Sequence, residues 1–423
     1  MSHVSAAQVN PKRTVQELKE LRALTGDEHG AQRVAFTEKW LRARAFLRER
    51  LDALPVEQHQ DAAGNHWATL KGDSERELLI GGHLDSVPNG GWLDGCLNVL
   101  AGLEVMRRVS EQYAGRPPVT LRLVDWADEE GARFGRSLYG SSAASGHLDV
   151  AEVSKLHDRD GVSLTDALAK VGVKLDNAPQ ARQELKNAAA YLELHIEQGP
   201  VLEGLGLPLG AVAGTVGVER HTLTFHGQAA HSGSTPMNVR KDAFLAAGKL
   251  AAEIYTIAGR HGGVCTIGSV KTLPGIVTSV VETCEITLDQ RHLDAEKLAA
   301  MWRDAQEAAQ RFAAEGGCAV TFGDIWNIGP ILFNSELIGA AEASILELVP
   351  STHRLPSGPL HDAAEVARSG VPTVMLFVQS LRGISHNKIE DTLEEHIELS
   401  VRALDRLTDR AIAWIGARPL QDG

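Results

Sequence analysis

Short apolar strands alternate with amphipathic helices along the chain, with one interruption in the middle, and this alternation limits the folds that the chain can adopt. On both sides of the interruption, apolar runs are followed by stretches in which apolar residues recur with the helical period. This alternation is typical of an α/β domain built on a mainly parallel sheet. The segments that carry the pattern include ELLIGGH, NVLAGLEVMRRVSEQY, VTLRLVDWADEE, AYLELHIEQG, PTVMLFV and HIELSVRALDRLTDRAIAWIG.

The interruption has the order strand, helix, strand, strand, helix, strand, which is that of a ferredoxin-like α+β unit. Its strands are GTVGVERHTLTFHGQ, VCTIGSVKTL, VTSVVETCEITLDQRH and AVTFGDIWN, and its helices are NVRKDAFLAAGKLAAEIYTIAGR and AEKLAAMWRDAQEAAQRFAAEGG. At 423 residues the chain exceeds the usual size of a single core, so two domains are expected. We predict an α/β domain formed by residues 1–213 and 329–423, and an inserted α+β domain formed by residues 214–328.

Composition and charge argue against several classes of protein. The net charge of −13 is unfavourable for a general nucleic-acid binder, since phosphate contacts require a basic face. No apolar run approaches the roughly 20 residues that cross a bilayer, so no membrane association is expected. The four cysteines are far apart and form no CxxC pair, which argues against disulfides and cysteine-based zinc sites. We expect a reduced, cytoplasmic protein.

Metal-type ligands follow four of the predicted α/β strands. Strand by strand, they are His83, Asp85 and Asp94; Glu129 and Glu130; His195 and Glu197; and His386. Each residue alone would more often be structural, but ligands of open α/β sheets bind at the carboxyl ends of the strands, so the joint occurrence indicates one site. Two histidines with two or three carboxylates suit two divalent ions such as zinc or manganese, which a carboxylate can bridge and which acidify a shared water.

Two of these acids are expected to act without serving as ligands. Asp85, two residues after His83, is placed to accept the other ring N–H of that histidine and to fix its tautomer. Of the adjacent Glu129 and Glu130, one can bind metal while the other receives the proton of the water, since neighbouring side chains at a bent strand end point to different sides. The residues alone leave open which glutamate has which role.

Six segments together resemble the marker segments of the dinuclear-metal amidohydrolases. From about His83 to about Thr392 they are GGHLDSVPNGGWLDG, DEEGARFGRSLYGS, HIEQGPVLE, HSGSTPM, SGPLHDA and GISHNKIED. The family includes L-N-carbamoyl amino acid hydrolases, yeast-type β-ureidopropionases and allantoate amidohydrolases, and it is related to aminoacylases and zinc carboxypeptidases. The tetrad HIEQ resembles the carbamoylase branch more than the peptidase branch.

The resemblance implies a role for each matching residue. The implied metal ligands are His83 and His195 for one ion, Glu130 and His386 for the other, and Asp94 as the bridge. The implied catalytic residues are Glu129, the general base, and His231, which polarises the scissile carbonyl. The implied substrate-binding residues are Gln198 for the amide, Arg291 for the carboxylate, Thr278 beside that arginine, and Gly358 in the loop before His361.

Several of these residues have an alternative reading. The family usually has asparagine at the position of Thr278, and a hydroxyl offers fewer hydrogen bonds than an amide. SGPLHDA, which contains Gly358, replaces a more glycine-rich loop, and His361 is expected to structure that loop. Arg291 could instead form an ion pair with Asp289 or Asp294.

The implied reaction is hydrolysis of the C–N bond of an N-carbamoyl-L-amino acid by a dimetal-bridged hydroxide, with zinc, manganese, cobalt or nickel as the two ions. The inserted domain corresponds to the family's lid and dimerisation domain, so a small ureido or amide substrate and a homodimer are expected. An allantoate or ureidoglycolate amidohydrolase and an aminoacylase or dipeptidase are alternatives on the same frame. A non-catalytic ligand-binding protein is an alternative of another class, although none of the five implied ligands is missing.

Overall fold

The computed structural model describes residues 7–418, which form two compact units. The first unit comprises the described residues up to 213 and from 333 onward, and the second comprises residues 214–332. Ile331 and Leu332, which lie beyond the boundary predicted at 328, pair with Thr215 and Gly214 and so join the second unit. The functions predicted for the two domains stay predictions.

The helices and strands follow the predicted alternation, with short additional elements. In the first unit they begin with α1 (Pro11–Thr25), β1 (Gly26–Asp27), β2 (Gly30–Ala31), α2 (Glu38–Leu51), β3 (Glu57–Gln60), β4 (His66–Leu70), β5 (Glu77–His83), α3 (Cys96–Gln112), β6 (Thr120–Trp126), α4 (Tyr139–Ser145), α5 (Val150–Val153), α6 (Leu164–Lys170), β7 (Ala188–Ile196), α7 (Val201–Leu205) and β8 (Leu209–Thr215). The second unit contains β9 (Gly217–His226), α8 (Ala243–His261), β10 (Val264–Leu273), β11 (Thr283–His292), α9 (Ala295–Glu315), β12 (Ala319–Ile328) and β13 (Ile331–Leu332). The first unit resumes with α10 (Ser335–Leu346), β14 (His353–Ser357), α11 (Asp362–Arg368), β15 (Thr373–Val378) and α12 (Glu394–Ala417), and 3-10 segments span Leu175–Leu185, Met237–Val239 and Leu381–Gly383.

Within residues 7–418, no helix combines the length and the apolar character that crossing a membrane requires.

The core of the first unit is a mixed sheet with a parallel centre. Its strand order is β8-β15-β7-β5-β6-β4-β3, and β14 also pairs with β8. The four central strands are parallel to one another, whereas β8, β4 and β3 pair antiparallel at the sides. Strands β6 and β15 are buried along their whole length, as parallel strands covered on both faces usually are.

This topology brings the predicted metal ligands and Glu129 to one edge of the sheet. Because β5, β6, β7 and β15 run in the same direction, their carboxyl ends lie side by side. Strand β5 ends on His83, and β7 ends one residue after His195. Strand β6 leads into the loop that carries Glu129 and Glu130, and β15 leads into the segment that carries His386.

A buried ion pair connects helix α2 to this edge of the sheet. Nε of Arg44 donates to Oδ2 of Asp125 at 2.6 Å, and the side chains of both residues are almost completely buried. Oδ1 of Asp125 accepts the main-chain N–H of Leu84 at 2.8 Å. The pair therefore ties helix α2 to the ends of β6 and β5.

The second unit has the arrangement of a ferredoxin-like α+β fold. Its sheet has the order β10-β11-β9-β12 and is antiparallel throughout. Helices α8 and α9 pack against this sheet around a core that includes Leu223, Phe225, Leu250, Ile286 and Met301. Helix α8 begins at Ala243, later than the apolar pattern predicts, because the carboxylate of Asp242 accepts the N–H groups of Phe244 and Leu245 and caps the helix there.

A buried histidine in β4 makes the stability of the fold depend on pH. Burial, together with the nearby Arg44, lowers the pKa of His66 from 6.5 to about 3. At pH values below about 6.5, His66 binds a proton in the unfolded chain but not in the folded one. The contribution of neutral His66 to the free energy of unfolding is therefore present above about pH 6.5 and is lost as the pH falls toward 3. We expect the urea midpoint to decrease between pH 7 and pH 5, and to decrease less in His66→Gln.

Urea denaturation at the two pH values measures this difference. His29→Gln, at an exposed histidine, is the matched control and should keep the wild-type pH dependence. An unchanged pH dependence in His66→Gln would contradict the prediction.

Candidate metal centre

Side chains from four strand ends form two overlapping groups of candidate ligands. The first ligand group consists of His83, Asp94 and His195, and the second ligand group consists of Asp94, Glu130 and His386. Within each group the ligand atoms all lie within 4.8 Å of one another. Asp94 belongs to both groups, so one carboxylate joins them.

In the first ligand group, both imidazoles present Nε2 to the carboxylate. Nε2 of His83 and Nε2 of His195 lie 3.7 and 3.2 Å from Oδ1 of Asp94. Their Nδ1 atoms are hydrogen-bonded to the main-chain carbonyls of Asp85, at 3.1 Å, and Ile196, at 2.9 Å. Because a carbonyl can only accept, Nδ1 carries the proton, and the neutral imidazole has its lone pair on Nε2.

In the second ligand group, His386 lies between two carboxylates. Its Nε2 atom is 3.2 Å from Oε2 of Glu130 and 3.5 Å from Oδ2 of Asp94. Oε1 of Glu130 accepts the main-chain N–H of Val87 at 3.2 Å, which fixes that carboxylate. Asp94 thus presents one oxygen to each group, as a bridging ligand does.

The close approach of imidazoles and carboxylates shifts the pKa values of both. Burial lowers the pKa of His195, but the Asp94 carboxylate outweighs burial and raises this pKa to about 9. The Glu130 carboxylate likewise raises the pKa of His386 to about 9. Burial raises the pKa of Asp94, yet the neighbouring histidines hold it well below its ordinary value. The side chains therefore favour an ionised carboxylate at the junction of the two groups.

These residues fit a pair of divalent metal ions. The Nε2 atoms of His83 and His195 are buried and have no hydrogen-bond partner among residues 7–418, which is costly unless a ligand satisfies them. Ligand atoms about 2.0–2.1 Å from one tetrahedral zinc ion are about 3.4 Å apart, close to the separations of 3.2–3.7 Å seen here. Three protein ligands per ion leave a position for water or substrate, as in catalytic zinc sites.

Glu129 lies beside the centre but outside both ligand groups. Its Oε2 atom is 3.7 Å from Nε2 of His83. Burial, and then the neighbouring carboxylates of Asp362 and Glu130, raise the pKa of Glu129 well above its ordinary value. A carboxylate with a raised pKa is suited to exchange protons near neutral pH.

The contact predicted for the Asp85 carboxylate is wrong. This carboxylate is 3.7 Å from Nδ1 of His83, which instead donates to the main-chain carbonyl of Asp85. The carboxylate accepts the main-chain N–H groups of Glu129, at 3.2 Å, and Glu130, at 3.1 Å. By accepting both N–H groups, Asp85 holds the loop of the two glutamates against the end of β5.

Gln198 contacts the shared carboxylate. Its amide nitrogen donates to Oδ2 of Asp94 at 2.9 Å and to the Ser385 hydroxyl at 3.0 Å. Its main-chain N–H donates to the Ser380 hydroxyl at 3.0 Å, and its backbone has a φ of +58°, which is uncommon outside glycine. The side chain of Gln198 thus points toward the two ligand groups. Its contact with a substrate amide stays a prediction.

Thr278 lies in an exposed loop of the second unit. The carbonyl of Thr278 accepts the N–H of Ser232 at 3.0 Å, and the N–H of Val280 donates to the Ala230 carbonyl at 2.8 Å. Residues 278–280 therefore pair with residues 230–232, and β11 begins only at Thr283, six residues later than the strand predicted from the sequence.

His231 lies in the same pair of loops and is exposed. Its Nδ1 atom accepts the N–H of Gly233 at 3.1 Å. The proton of the neutral imidazole is therefore on Nε2, so the side chain can donate a hydrogen bond through that atom.

Arg291 on β11 contacts an acid of its own strand, as the alternative reading of this residue predicts. Its Nε and Nη2 atoms donate to the two carboxylate oxygens of Asp289 at 2.8 and 3.3 Å. Arg220 donates to the same carboxylate at 2.8 Å. A substrate carboxylate would have to share the Arg291 guanidinium with Asp289, and carboxylate binding by Arg291 stays a prediction.

The loop with Gly358 leads to a histidine whose position the sequence does not reveal. Gly358 follows β14, and His361 immediately precedes α11. The buried ring of His361 lies 4.3 Å, centre to centre, from that of His195. The sequence signal is a His-Asp pair before a helix, which by itself indicates only a structured loop.

Comparison with known proteins identifies the family. The sequence profile described as peptidase family M20/M25/M40 matches residues 79–410. An N-carbamoyl-L-amino acid amidohydrolase of Geobacillus stearothermophilus is 35% identical over 379 residues, which are 89% of this chain and 92% of the relative. An allantoate amidohydrolase of Escherichia coli (strain K12) is 34% identical over 392 residues, which are 91% of this chain and 93% of the relative.

A solved structure extends the similarity to the fold. The crystal structure of an amidase of the hydantoinase/carbamoylase family from Burkholderia multivorans has a TM-score of 0.84 at 30% identity. The match covers 98% of this chain and 100% of that chain. The chain therefore belongs to peptidase family M20/M25/M40.

Proposed function

We propose that the protein is a metal-dependent hydrolase that cleaves the C–N bond of N-carbamoyl-L-amino acids. The observation that carries the proposal is the pair of ligand groups joined by Asp94, with Glu129 beside them. Relatives named N-carbamoyl-L-amino acid amidohydrolase support the choice of substrate. Water adds to the ureido carbonyl carbon, the bond to the amino-acid nitrogen breaks, and the released carbamate decomposes to carbon dioxide and ammonia.

Under this proposal five residues would hold two divalent ions. His83 and His195 would bind one, Glu130 and His386 would bind the other, and Asp94 would be a ligand of both. When bound, such ions bring the pKa of a water molecule toward neutrality and polarise a carbonyl oxygen. The hydrogen bonds from the Nδ1 atoms of His83 and His195 to main-chain carbonyls keep both imidazoles in the ligating tautomer. Imidazole suits zinc and nickel and carboxylate suits manganese, so zinc, manganese, cobalt and nickel are the ions to test.

Glu129 is the general base in this proposal. Its carboxylate takes a proton from the attacking water and delivers it to the leaving nitrogen. Both transfers are efficient when the pKa of the group lies near the working pH, and burial moves the pKa of Glu129 in that direction.

The inserted unit acts as a lid and dimerisation domain in this proposal. His231 donates its Nε2 proton to the carbonyl oxygen, where negative charge develops. Arg291 binds the substrate carboxylate with Thr278 beside it, Gln198 binds the amide, and Gly358 lines the pocket. Closure of the insert over a small substrate would order these groups around it and exclude water. The tautomer of His231 supports its role as a donor.

Hydrolysis of allantoate is the second candidate. The Escherichia coli relative of that name matches this chain almost as closely as the carbamoylase does. Both substrates offer a ureido carbonyl and a carboxylate, so the same residues would serve either reaction.

A substrate panel tests the proposal. The protein is stripped of metal with a chelator, reloaded with zinc, manganese, cobalt or nickel, and assayed for release of amino acid and ammonia. We expect the highest kcat/KM with N-carbamoyl-L-amino acids, and the D enantiomers serve as the stereochemical control.

Other outcomes identify the alternatives. Preference for allantoate supports the second candidate, and preference for N-acetyl amino acids or dipeptides indicates an aminoacylase or dipeptidase. Bound metal without hydrolysis of any compound indicates a ligand-binding protein. A form that hydrolyses N-carbamoyl-L-amino acids at full rate without metal contradicts the proposed mechanism.

A further inference from the structure

We infer that Glu390 is a positioning residue that holds the shared carboxylate of Asp94 in place for both ligand groups. Glu390 belongs to neither group and lies four residues after His386. The inference rests on the proposed metal-dependent function, and it adds to that function a residue on which both sites depend.

The first contact is with the main chain of the loop that carries Asp94. Oε1 of Glu390 accepts the N–H groups of Leu93 and Asp94, both at 3.1 Å. The side chains of all three residues are buried, with Glu390 only 2% exposed. Removing the carboxylate would leave two buried donors without their acceptor, which destabilises this conformation of the loop.

The second contact runs through the Ser385 hydroxyl, next to His386 in the chain. Oγ of Ser385 lies 2.9 Å from Oε2 of Glu390 and 2.9 Å from Oδ2 of Asp94. The same hydroxyl accepts a hydrogen bond from the amide nitrogen of Gln198. Glu390 is therefore connected to Asp94 twice, at the main chain and at the carboxylate oxygen that faces the second ligand group.

The space that Glu390 occupies provides independent support. A Cβ atom at Gly91 would lie 2.0 Å from Oε1 of Glu390 and 2.5 Å from its Cβ atom. No side chain fits at position 91 while Glu390 is in place. The loop before Asp94 therefore requires glycine at position 91 to leave room for the Glu390 side chain.

The shared position of Asp94 predicts an effect that differs from loss of a ligand. Loss of a ligand such as His386 weakens the binding of the ion in its own ligand group. A misplaced Asp94 affects both groups, because each of its oxygens faces one of them. Loss of a partner that orients a ligand typically lowers metal affinity about 10- to 100-fold.

The test measures cobalt(II) binding by competition with a chelator, for the full chain and its variants. We expect Glu390→Ala to weaken the binding of both ions about 10- to 100-fold. Ser385→Ala removes the second contact but keeps the first, and we expect it to weaken the binding of both ions about tenfold. Glu390→Gln should bind nearly as well as the wild type. Its carbonyl accepts the two N–H groups, and its amide donates to Ser385, whose own proton then serves Asp94.

Glu394→Ala is the matched control, because this exposed carboxylate contacts Lys19 and should leave both dissociation constants unchanged. A purely structural role for Glu390 would lower the melting temperature of Glu390→Ala while leaving cobalt binding as in the wild type, and this result overturns the inference. A Glu390→Ala variant that weakens the binding of only one ion also overturns the inference. If Glu390→Ala does not fold, unchanged binding in Ser385→Ala has the same consequence. A wild-type protein that binds no cobalt, by contrast, refutes the proposed function itself.

Discussion

Glu129→Gln is expected to bind both metal ions and to lose turnover by a factor of about 10² to 10⁴, the usual contribution of a general base. The amide has the size of the carboxylate but cannot take a proton from water. Metal binding should persist because Glu129 lies outside both ligand groups, although its Oε2 atom is 3.7 Å from Nε2 of His83. Elemental analysis and kcat, measured with the best substrate of the panel, check the two parts of this result.

The pH profile adds a second measurement on the same variant. Only the ionised carboxylate can accept a proton, so wild-type kcat should rise with pH through the pKa of Glu129, which burial raises above its ordinary value. This rise should be absent from the residual activity of Glu129→Gln. Glu130→Gln is the matched comparison and should lose metal. The reverse result, with metal lost from Glu129→Gln and retained in Glu130→Gln, would mean that the two glutamates have exchanged roles.

His386→Ala is expected to retain one of two ions and to lose nearly all turnover. His386 is one of three residues in the second ligand group, whereas the first ligand group stays complete without it. A metal ion supplies several kcal/mol of transition-state stabilisation, and each 1.4 kcal/mol is a factor of about ten, so kcat should fall at least about a hundredfold.

Metal stoichiometry after equilibration with excess metal and removal of free ions, together with kcat, tests this expectation. His353→Ala, at an exposed histidine of β14, is the control and should retain both ions and full activity. Full turnover of His386→Ala with a single bound ion would show that the second group is not required for catalysis.

Much of the secondary structure could be predicted from the sequence because it depends on local patterns. Strand β10 spans Val264–Leu273, the bounds that its apolar pattern predicts, and α9 begins at Ala295 as predicted. The starts of α8 and β11 were predicted too early, at residues 238 and 277. Their true starts depend on a capping carboxylate and on pairing between two loops, which apolar periodicity does not record.

For the candidate site, the ligand types could be predicted from the strand ends, but several contacts could not. The sequence predicts that the carboxylate of Asp85 accepts the ring N–H of His83. It instead accepts main-chain N–H groups from a loop more than 40 residues away in sequence. Glu390 lies in the segment GISHNKIED, but nothing in that segment indicates that its carboxylate contacts the loop of Asp94. Its partner Asp94 is 296 residues away, so only the folded chain reveals the contact.

The order of the elements, and the placing of histidines and carboxylates after parallel strands, follow from the amino-acid pattern because apolar periodicity and strand ends are local properties of the chain. The resemblance to the amidohydrolases implies that Asp94 is the bridging ligand and that Glu130 rather than Glu129 is a ligand. The support that Glu390 gives to the loop of Asp94 is visible only in the folded chain. Contacts of this kind escape the sequence because buried polar groups form hydrogen bonds with whichever donors and acceptors the packed strands bring within about 3 Å, regardless of their separation along the chain.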